Sequence, residues 1–313
     1  MKIKKSAGKT VRAVLNQGIE FLQDQKIDQP KLLAERLLQG LLECKRFELY
    51  LNADMELPAP QVERYFSFLE QRAAGVPSQY ILGHAEFMDF TFKVNSSVLI
   101  PRPETEFLVE KVLQALGEKD LKGRALQILD VGTGSGNIAV SLAAYLPKAS
   151  VCAVDISDEA LEMARLNSMR NEVGHRIQFL RSNFFEALPA GRKFDLIVSN
   201  PPYLSESDMQ EIQPELLREP ERALLAGPEG TEIIERLARE AQAFLQPGGR
   251  LFFEIGAAQG LKTAELLKTY GWAYKIFKDY NGLDRVAQAD RPCLPEQAVT
   301  RGLTKQARAE KNL

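Results

Sequence analysis

The chain has 313 residues, of which 45% are hydrophobic and 26% charged, and its net charge at pH 7 is -2. This length predicts two domains, and the composition is that of a globular protein with an ample core. The near-neutral charge argues against a protein that binds nucleic acid mainly through charge.

Cysteines and histidines are few and lie far apart in the sequence: Cys44, Cys152, Cys293, His84 and His175. The absence of C-x-x-C spacing predicts neither a zinc site nor a disulfide framework, and it fits a reducing, cytoplasmic location. The lysines before Thr10 are not followed by the apolar stretch of a signal peptide. Because no run of about eighteen apolar residues occurs, no membrane span is expected.

The first quarter of the chain is predicted to be helical. Apolar residues recur at helical spacing from Val11 to Leu22, with Thr10 as a possible N-cap. Pro30 opens a second helix, and a short helix and a longer one from Pro60 to Ala74 follow. Their apolar faces suit a small bundle, so residues 1–85 are assigned to a helical domain.

Residues 86–100 are predicted to form a β-hairpin that links this domain to the rest of the chain. Polarity alternates from Glu86 to Val94 as in a strand, and Ser97 to Ile100 could pair with it across Asn95-Ser96. An amphipathic helix with Pro103 at its start comes next.

The strand from Ala125 to Asp130 runs into a glycine-rich turn. Gly132, Gly134 and Gly136 permit a tight turn and a close approach of the backbone to a ligand. The spacing is G-x-G-x-G after an acid, whereas dinucleotide enzymes carry G-x-G-x-x-G. Such a turn by itself is weak evidence for a ligand site.

The next two strands add side chains to the same edge of the sheet. Val151 to Asp155 ends in an acid about twenty residues beyond the glycines, where a carboxylate meets ribose hydroxyls in folds of this kind. The strand Ile177 to Arg181 is followed by Asn183-Phe184-Phe185, which is placed to flank an adenine ring. For Phe184 and Phe185, a position in the core is an equal alternative.

A fourth strand, Phe194 to Val198, leads into Asn200-Pro201-Pro202-Tyr203. The two prolines fix φ and remove two backbone donors, so the segment cannot continue a sheet or a helix. The Asn200 side-chain oxygen and the Pro201 carbonyl could accept hydrogen bonds from a planar NH2 group while Tyr203 stacks on it. For the tetrapeptide alone, a plain turn is an equally good interpretation.

Strands and helices continue to alternate to about residue 290, including a helix from Thr231 to Leu245 and a strand from Arg250 to Ile255. This alternation predicts a doubly wound α/β sheet with helices on both faces over residues 101–290. Residues 291–313 are expected to form a polar, basic tail without fixed structure.

Together these motifs resemble those of the class I S-adenosylmethionine-dependent methyltransferases that act on planar nitrogen. Further motifs narrow the resemblance to the peptide chain release factor N(5)-glutamine methyltransferases. They are Gln79-Tyr80-Ile81-x-Gly83, Ile100-Pro101-Arg102-Pro103-Glu104-Thr105-Glu106, Glu219-Pro220 and Gly282-x-Asp284-Arg285-Val286. The resemblance extends over roughly residues 11–290, and the combination is far more specific than any one motif.

The resemblance implies a seven-stranded methyltransferase sheet with one antiparallel strand over residues 101–290, preceded by the hairpin linker and by a helical substrate-recognition domain. It implies S-adenosylmethionine as cofactor. The implied substrate is the glutamine of the Gly-Gly-Gln motif in class 1 translation release factors, methylated on its side-chain amide nitrogen. Release factors would be the partners of a cytoplasmic monomer that has no nucleic-acid substrate.

Site residues follow from the same resemblance. Cofactor contacts map onto Gly132, Thr133, Gly134, Ser135, Gly136, Asp155, Phe184 and Asn200. Substrate contacts map onto Asn200, Pro201, Pro202 and Tyr203, with Asn200, Pro201 and Tyr203 assigned to catalysis and no metal implied. Many relatives carry Asp-Trp-Phe at positions 183–185, so Phe184 can stack on a base but lacks an indole donor.

Two alternatives remain open at this point. The same tetrapeptide could hold the exocyclic amine of adenine in a nucleic-acid N(6)-methyltransferase, although such enzymes usually present a basic surface. A non-catalytic module that binds release factors or ribosomes is the other alternative. The intact glycines, Asp155 and Asn200-Pro201-Pro202-Tyr203 favour an enzyme.

Overall fold

A computed structural model describes residues 9–117 and 123–291, and these fall into two compact units. The first unit combines residues 9–86, 91–100 and 211–221, and the second contains the remainder of the described chain. The predicted basic tail, apart from Arg291, lies outside the described residues.

The first unit contains the predicted helical domain. Its α-helices are α1 (Val11–Asp24), α2 (Pro30–Leu42), α3 (Arg46–Leu51), α4 (Ala59–Ala73) and α5 (Ser78–Leu82). A short strand, β1 (Lys9–Thr10), pairs antiparallel with β2 (Glu56–Leu57). The predicted N-cap is present, since Thr10 Oγ1 accepts a hydrogen bond from the Ala13 N–H at 3.3 Å.

Two buried polar contacts hold the helices of this unit together. Tyr65 on α4 is fully buried, and its hydroxyl donates to the Ala34 carbonyl on α2 at 3.0 Å. Glu35 on α2 is also fully buried and accepts hydrogen bonds from Arg46 Nε at 2.7 Å and from the Tyr50 hydroxyl. Burial alone would raise the pKa of Glu35, but these two hydrogen bonds lower it below its ordinary value.

The predicted hairpin is present but its strands were wrongly placed. β3 (His84–Phe87) pairs with β4 (Phe90–Lys93), so the chain reverses at Met88-Asp89 and not at Asn95-Ser96. Met88 has φ 52°, in the left-handed region, and its N–H donates to Glu106 Oε1 at 2.6 Å. Residues 97–100 form no strand.

The second unit is organised around the sheet. Its strands are β5 (Gln127–Val131), β6 (Ser150–Asp155), β7 (Ile177–Arg181), β8 (Phe194–Ser199), β11 (Leu245–Glu254), β12 (Ala273–Lys278) and β13 (Asp284–Asp290). Within the described chain the order is β12-β13-β11-β8-β5-β6-β7. β13 runs antiparallel to both of its neighbours and the remaining pairs are parallel, so the predicted seven-stranded sheet with one antiparallel strand is confirmed.

Helices pack around this sheet. They are α6 (Pro103–Ala115), α7 (Asn137–Tyr145), α8 (Asp158–Arg170), α10 (Glu232–Glu240) and α11 (Gly260–Thr269). The short helix α9 (Glu206–Glu211) has no buried residue. A second, small sheet pairs β9 (Leu204–Ser205) in parallel with β10 (Leu225–Gly227). None of the helices in the described part of the chain has the length and apolar character needed to cross a membrane.

The transition from α10 to β11 differs from the prediction. α10 ends at Glu240, a 3-10 helix spans Ala241–Phe244, and β11 begins at Leu245. The register of β11 against β8 shifts between Leu245 and Arg250, which leaves residues 246–249 in a bulge. Pro247 within it has no N–H to donate, so the bulge places this residue where no ladder hydrogen bond is needed.

Candidate active site

The carboxyl edge of the parallel strands collects the segments identified in the sequence. β5 ends at the glycine turn, β6 ends at Asp155, β7 ends before residues 182–185, and β8 ends before Asn200. In the sheet these strands are successive neighbours in the order β8-β5-β6-β7. The segments therefore lie side by side, at the edge where open α/β sheets bind ligands.

The glycine turn borders open space at two of its three glycines. Gly132 has φ 73° and Gly134 has φ 55°, and a β-carbon built on either would meet no heavy atom within 4 Å. At Gly136 a β-carbon would lie 3.0 Å from that of Ala164. The first two glycines thus leave room for a ligand against the backbone, whereas Gly136 allows α7 and α8 to approach each other.

The hydroxyl side chains of the turn are bound within the protein. Thr133 Oγ1 donates to Asp130 Oδ2 at 2.7 Å, and Ser135 Oγ donates to Asn137 Oδ1 at 3.2 Å. Both Thr133 and Ser135 are buried. These two hydroxyl groups therefore stabilise the turn.

Asp130 supplies an acceptor without a protein partner. Its side chain is fully buried, and its Oδ1 receives no hydrogen bond from the described residues. Burial raises the pKa of Asp130 to about 7, although the hydrogen bond from Thr133 opposes the shift. An orphaned carboxylate oxygen beneath an open glycine turn fits a ligand that carries N–H or O–H donors.

Asp155 holds the glycine turn and the loop after β7 at one strand end. Its Oδ2 accepts from the Gly134 N–H at 2.8 Å, and its Oδ1 accepts from the Ser157 N–H at 3.0 Å. Its backbone carbonyl accepts from the Ser182 N–H at 2.9 Å. The pKa of Asp155 is raised, because the effect of burial exceeds the opposing effect of the backbone hydrogen bonds to its carboxylate.

The two phenylalanines after β7 have different surroundings. Phe185 is buried in the core, where its ring stacks on Phe244 with centroids 4.8 Å apart. Phe184 is only partly buried, has φ 57°, and lies with its ring centroid 4.4 Å from the Arg236 guanidinium. The core alternative therefore applies fully to Phe185, whereas Phe184, on the loop after β7, packs against the same core and stays partly exposed.

A chain of hydrogen bonds orients the Asn200 side chain. Asn200 Nδ2 donates to Thr105 Oγ1 at 2.9 Å, and Thr105 Oγ1 in turn donates to Glu254 Oε2 at 2.7 Å. Because Thr105 engages the NH2 group, Oδ1 is turned the other way, and no residue of the described chain donates to it. This is the orientation that the predicted acceptor role of Asn200 requires.

Glu254 connects Asn200 to Tyr203. It ends β11, is buried, and accepts from the Tyr203 hydroxyl at 3.3 Å through Oε1. Burial raises the pKa of Glu254 to about 7, against the opposing effects of the Thr105 hydrogen bond and the Arg285 charge. Burial also raises the pKa of Tyr203. The sequence analysis missed Glu254, although a lone acid at the end of a buried apolar strand is a usable signal.

Gln259 fixes the other end of the tetrapeptide and was also missed. Its Nε2 donates to the Tyr203 carbonyl at 2.8 Å and to the Gly230 carbonyl at 2.9 Å. Its Oε1 accepts from the Gly256 N–H at 2.9 Å. A β-carbon at Gly230 would lie 2.9 Å from the Tyr203 carbonyl oxygen, so a side chain there would displace the tetrapeptide.

No group of three or more His, Cys, Asp or Glu side chains that could hold a metal ion occurs in residues 9–117 and 123–291.

Family models and relatives identify the chain. The PrmC N-terminal domain matches residues 13–83, and the methyltransferase small domain matches residues 104–230. The release factor glutamine methyltransferase of Koribacter versatilis is 39% identical over 285 residues, or 90% of this chain and 99% of that protein. The one from Vibrio cholerae serotype O1 is 40% identical, over 88% of this chain and 95% of that protein. The chain belongs to the release factor glutamine methyltransferase family. The family predicted from the motifs is confirmed.

Solved structures of methyltransferases share the fold of this chain. A methyltransferase from Pyrococcus furiosus aligns with a TM-score of 0.50 at 21% identity, over 71% of this chain and 99% of that one. A 16S rRNA methyltransferase from T. thermophilus, in complex with AdoMet and guanosine, aligns with a TM-score of 0.50 at 24% identity. The alignment covers 66% of this chain and 49% of that one. At these identities the likeness shows the fold alone.

We expect Glu254→Gln to change how stability depends on pH. In the folded chain the pKa of Glu254 is about 7, above the 4.5 of an unperturbed glutamate, so between these pH values the folded state binds more protons than the unfolded state. The free energy of unfolding therefore falls as pH rises through this window, by on the order of 3 kcal/mol for this group, and levels off above it.

Urea unfolding at a series of pH values measures this slope for the wild type and for Glu254→Gln, in which the fall should be smaller. The exposed Glu265→Gln is the matched control and should keep the wild-type slope. An unchanged slope in Glu254→Gln would contradict the raised pKa.

Proposed function

We propose that this chain transfers the methyl group of S-adenosylmethionine to the side-chain amide nitrogen of the glutamine in the Gly-Gly-Gln motif of class 1 release factors. The main support is the orientation of the Asn200 side chain. Its NH2 group donates a hydrogen bond to Thr105, and its oxygen accepts no hydrogen bond from the described residues. Relatives named release factor glutamine methyltransferase support the substrate. No observation favours the nucleic-acid alternative.

The glycine turn and its neighbours fit S-adenosylmethionine. The open backbone at Gly132 and Gly134 and the unpartnered Oδ1 of Asp130 leave both space and an acceptor. We assign cofactor contacts to residues 132–136, Asp155, Phe184 and Asn200, as predicted. Within the turn, the Thr133 and Ser135 hydroxyl groups donate their hydrogen bonds to Asp130 and Asn137. When bound, the cofactor supplies an electrophilic methyl group on sulfonium sulfur.

The substrate is held by the rigid corner at residues 200–203. An amide nitrogen is a poor nucleophile because its lone pair is delocalised into the carbonyl. Asn200 Oδ1 and the Pro201 carbonyl accept the two N–H bonds of the glutamine amide, which aims the nitrogen at the reacting carbon. They also stabilise the positive charge that develops on this nitrogen as its bond to the methyl carbon forms and the C–S bond breaks. The charge is removed when the methylated nitrogen loses one of its two hydrogens as a proton. Tyr203 packs on the planar amide, and Pro202 keeps the corner stiff.

Thr105 and Glu254 act through Asn200. Because Glu254 accepts the Thr105 hydroxyl hydrogen, Thr105 presents only lone pairs to Asn200 Nδ2. The amide cannot flip without placing its oxygen against that lone pair. Both residues are therefore positioning residues for the acceptor that contacts the substrate.

Methyl transfer to a release factor tests the proposed function directly. We expect incubation with S-adenosylmethionine to add one methyl group to the glutamine of the Gly-Gly-Gln motif, located by peptide mass mapping. A release factor with Asn in place of that glutamine should stay unmodified, because its shorter side chain does not bring the amide to the reacting carbon. Methylation of DNA or RNA instead of the release factor would overturn the proposal.

Asn200→Ala should lower turnover far more than it weakens cofactor binding. The substitution removes an acceptor that matters most as charge develops, so we expect a loss in kcat of about 10²- to 10³-fold. Affinity for S-adenosylhomocysteine, measured by calorimetry, should change only a few fold, about 1 kcal/mol or less. The exposed Asn281→Ala serves as control, and near-normal turnover in Asn200→Ala would refute the role.

We also assign release factor binding to the helical domain, in particular to an α3 patch of Phe47, Tyr50 and Leu51. Phe47 and Leu51 are 63% and 77% exposed, and their i, i+4 spacing places them on one face of the helix. Tyr50 is half-exposed and is anchored through its hydroxyl to the buried Glu35. Exposed apolar side chains clustered on a rigid helix are typical of a protein-binding surface.

A double variant, Phe47→Ser with Leu51→Ser, should raise KM for the full release factor by roughly tenfold, since apolar area at the contact is lost. The kcat should be unchanged, and so should methylation of a short Gly-Gly-Gln peptide that cannot reach the patch. Met169→Ser, at a 65% exposed apolar position on α8 in the other unit, is the matched control. An unchanged KM for the full release factor would contradict this assignment.

A further inference from the structure

Arg236 links α10 to the loop that follows β7. Its Nη1 donates to Asn183 Oδ1 at 2.9 Å, and its Nη2 donates to Glu186 Oε1 at 2.9 Å and to the Asn183 carbonyl at 3.4 Å. Its Nε donates to both carboxylate oxygens of Glu240, at 3.2 and 3.3 Å. With every guanidinium nitrogen engaged and 23% of the side chain exposed, Arg236 has little freedom to move.

The same guanidinium contacts the aromatic ring of Phe184. Its central carbon lies 4.4 Å from the ring centroid, within the range of a cation–π interaction. The two residues belong to different elements, so this contact fixes the ring relative to α10. The ring also packs against the hydrophobic core and lies 6.4 Å from the Phe185 ring, centroid to centroid, but it is only partly buried, so part of it is open to another flat group.

The backbone of the loop gives Phe184 a conformation that needs support. Its φ of 57° lies in the left-handed region, which is unfavourable for a residue with a side chain. Ser182 Oγ donates to the Phe184 carbonyl at 2.8 Å, and Asn183 Nδ2 donates to Glu186 Oε1 at 2.8 Å. These hydrogen bonds fix the backbone but do not contact the ring, whose cationic partner is Arg236.

The loop stands next to the glycine turn. Asp155 accepts the Ser182 N–H through its carbonyl and the Gly134 N–H through its carboxylate. Phe184 is two residues beyond Ser182, so its loop is bonded to the same strand end, Asp155, that holds the turn.

We infer that Arg236 is a positioning residue for the cofactor: it holds the Phe184 ring so that the exposed part of the ring packs against the adenine of S-adenosylmethionine. The inference deepens the proposed function and rests on it. Arg236 does not contact the reacting atoms, so its removal weakens cofactor binding without slowing transfer in the saturated enzyme.

Calorimetric titration of the full chain with S-adenosylhomocysteine tests this inference. Arg236→Met keeps the length of the side chain but removes the charge, and we expect its Kd to rise by roughly five- to tenfold. The KM for S-adenosylmethionine should rise by the same factor while kcat at saturation stays within about twofold. Arg236→Lys keeps the positive charge but lacks the planar guanidinium group, and it should retain part of the affinity for S-adenosylhomocysteine that Arg236→Met loses.

A double-mutant cycle with Phe184→Ala separates positioning from a general structural role. Once the ring is gone, Arg236→Met should weaken binding little further, so the two losses should be clearly non-additive. Arg239→Met is the matched control on the same helix, since Arg239 is more exposed and also pairs with Glu240. Its Kd should equal that of the wild type, and thermal melting of each variant checks that it is folded.

A Kd for Arg236→Met within twofold of the wild type, or additive losses in the cycle, would overturn the inference and leave the proposed function in place. Failure of the wild-type chain to bind S-adenosylhomocysteine would be a different result, because it removes the cofactor site itself. If Arg236→Met does not fold, Arg236→Lys takes its place in the double-mutant cycle with Phe184→Ala. The loss of affinity for S-adenosylhomocysteine should then be smaller, but the two losses should still be non-additive.

Discussion

The hydrogen bond from Thr105 to Glu254 is the constraint on which the substrate corner depends. A threonine hydroxyl can donate only one hydrogen, and the buried carboxylate takes it, so the Asn200 amide must approach Thr105 with its NH2 group. If the amide were reversed, it would present N–H groups to the N–H groups of a substrate amide. In the proposed function, the preference of the site for a planar NH2 group thus originates in Glu254, a carboxylate that does not contact the substrate.

The sheet makes this constraint rigid. Phe253 on β11 is the register partner of Ser199 on β8, so this pair is followed directly by Glu254, the last residue of β11, and by Asn200, the first residue after β8. Both positions are set by ladder hydrogen bonds and not by flexible side chains. The cost of burying Glu254 is visible in its raised pKa, and this burial is what makes its hydrogen bonds strong. A carboxylate exposed to water would orient Thr105 only weakly.

Much of the site could be predicted because its chemistry lies in residues that are adjacent in sequence. The glycine turn, Asp155 and the corner at residues 200–203 each follow a recognisable strand, and parallel strand ends meet at one edge. Thr105, Glu254 and Gln259 could not be assigned in this way, since their roles depend on partners chosen by the fold. Thr105 and Glu254 are 149 positions apart in the chain, and no local spacing connects them.

The hairpin turn was predicted at the wrong residues for the same physical reason, namely that its position depends on a partner distant in the sequence. Residues 86–94 alternate without a glycine or proline, and a local pattern of this kind does not distinguish one long strand from two short ones. The structure reverses the chain at Met88, whose left-handed backbone is unfavourable for a side chain of its shape. Its N–H is bonded to Glu106, which lies 18 positions away on α6. A distant carboxylate therefore holds the backbone at Met88, as another orients the side chain of Asn200, and in neither place does the neighbouring sequence show which distant residue is the partner.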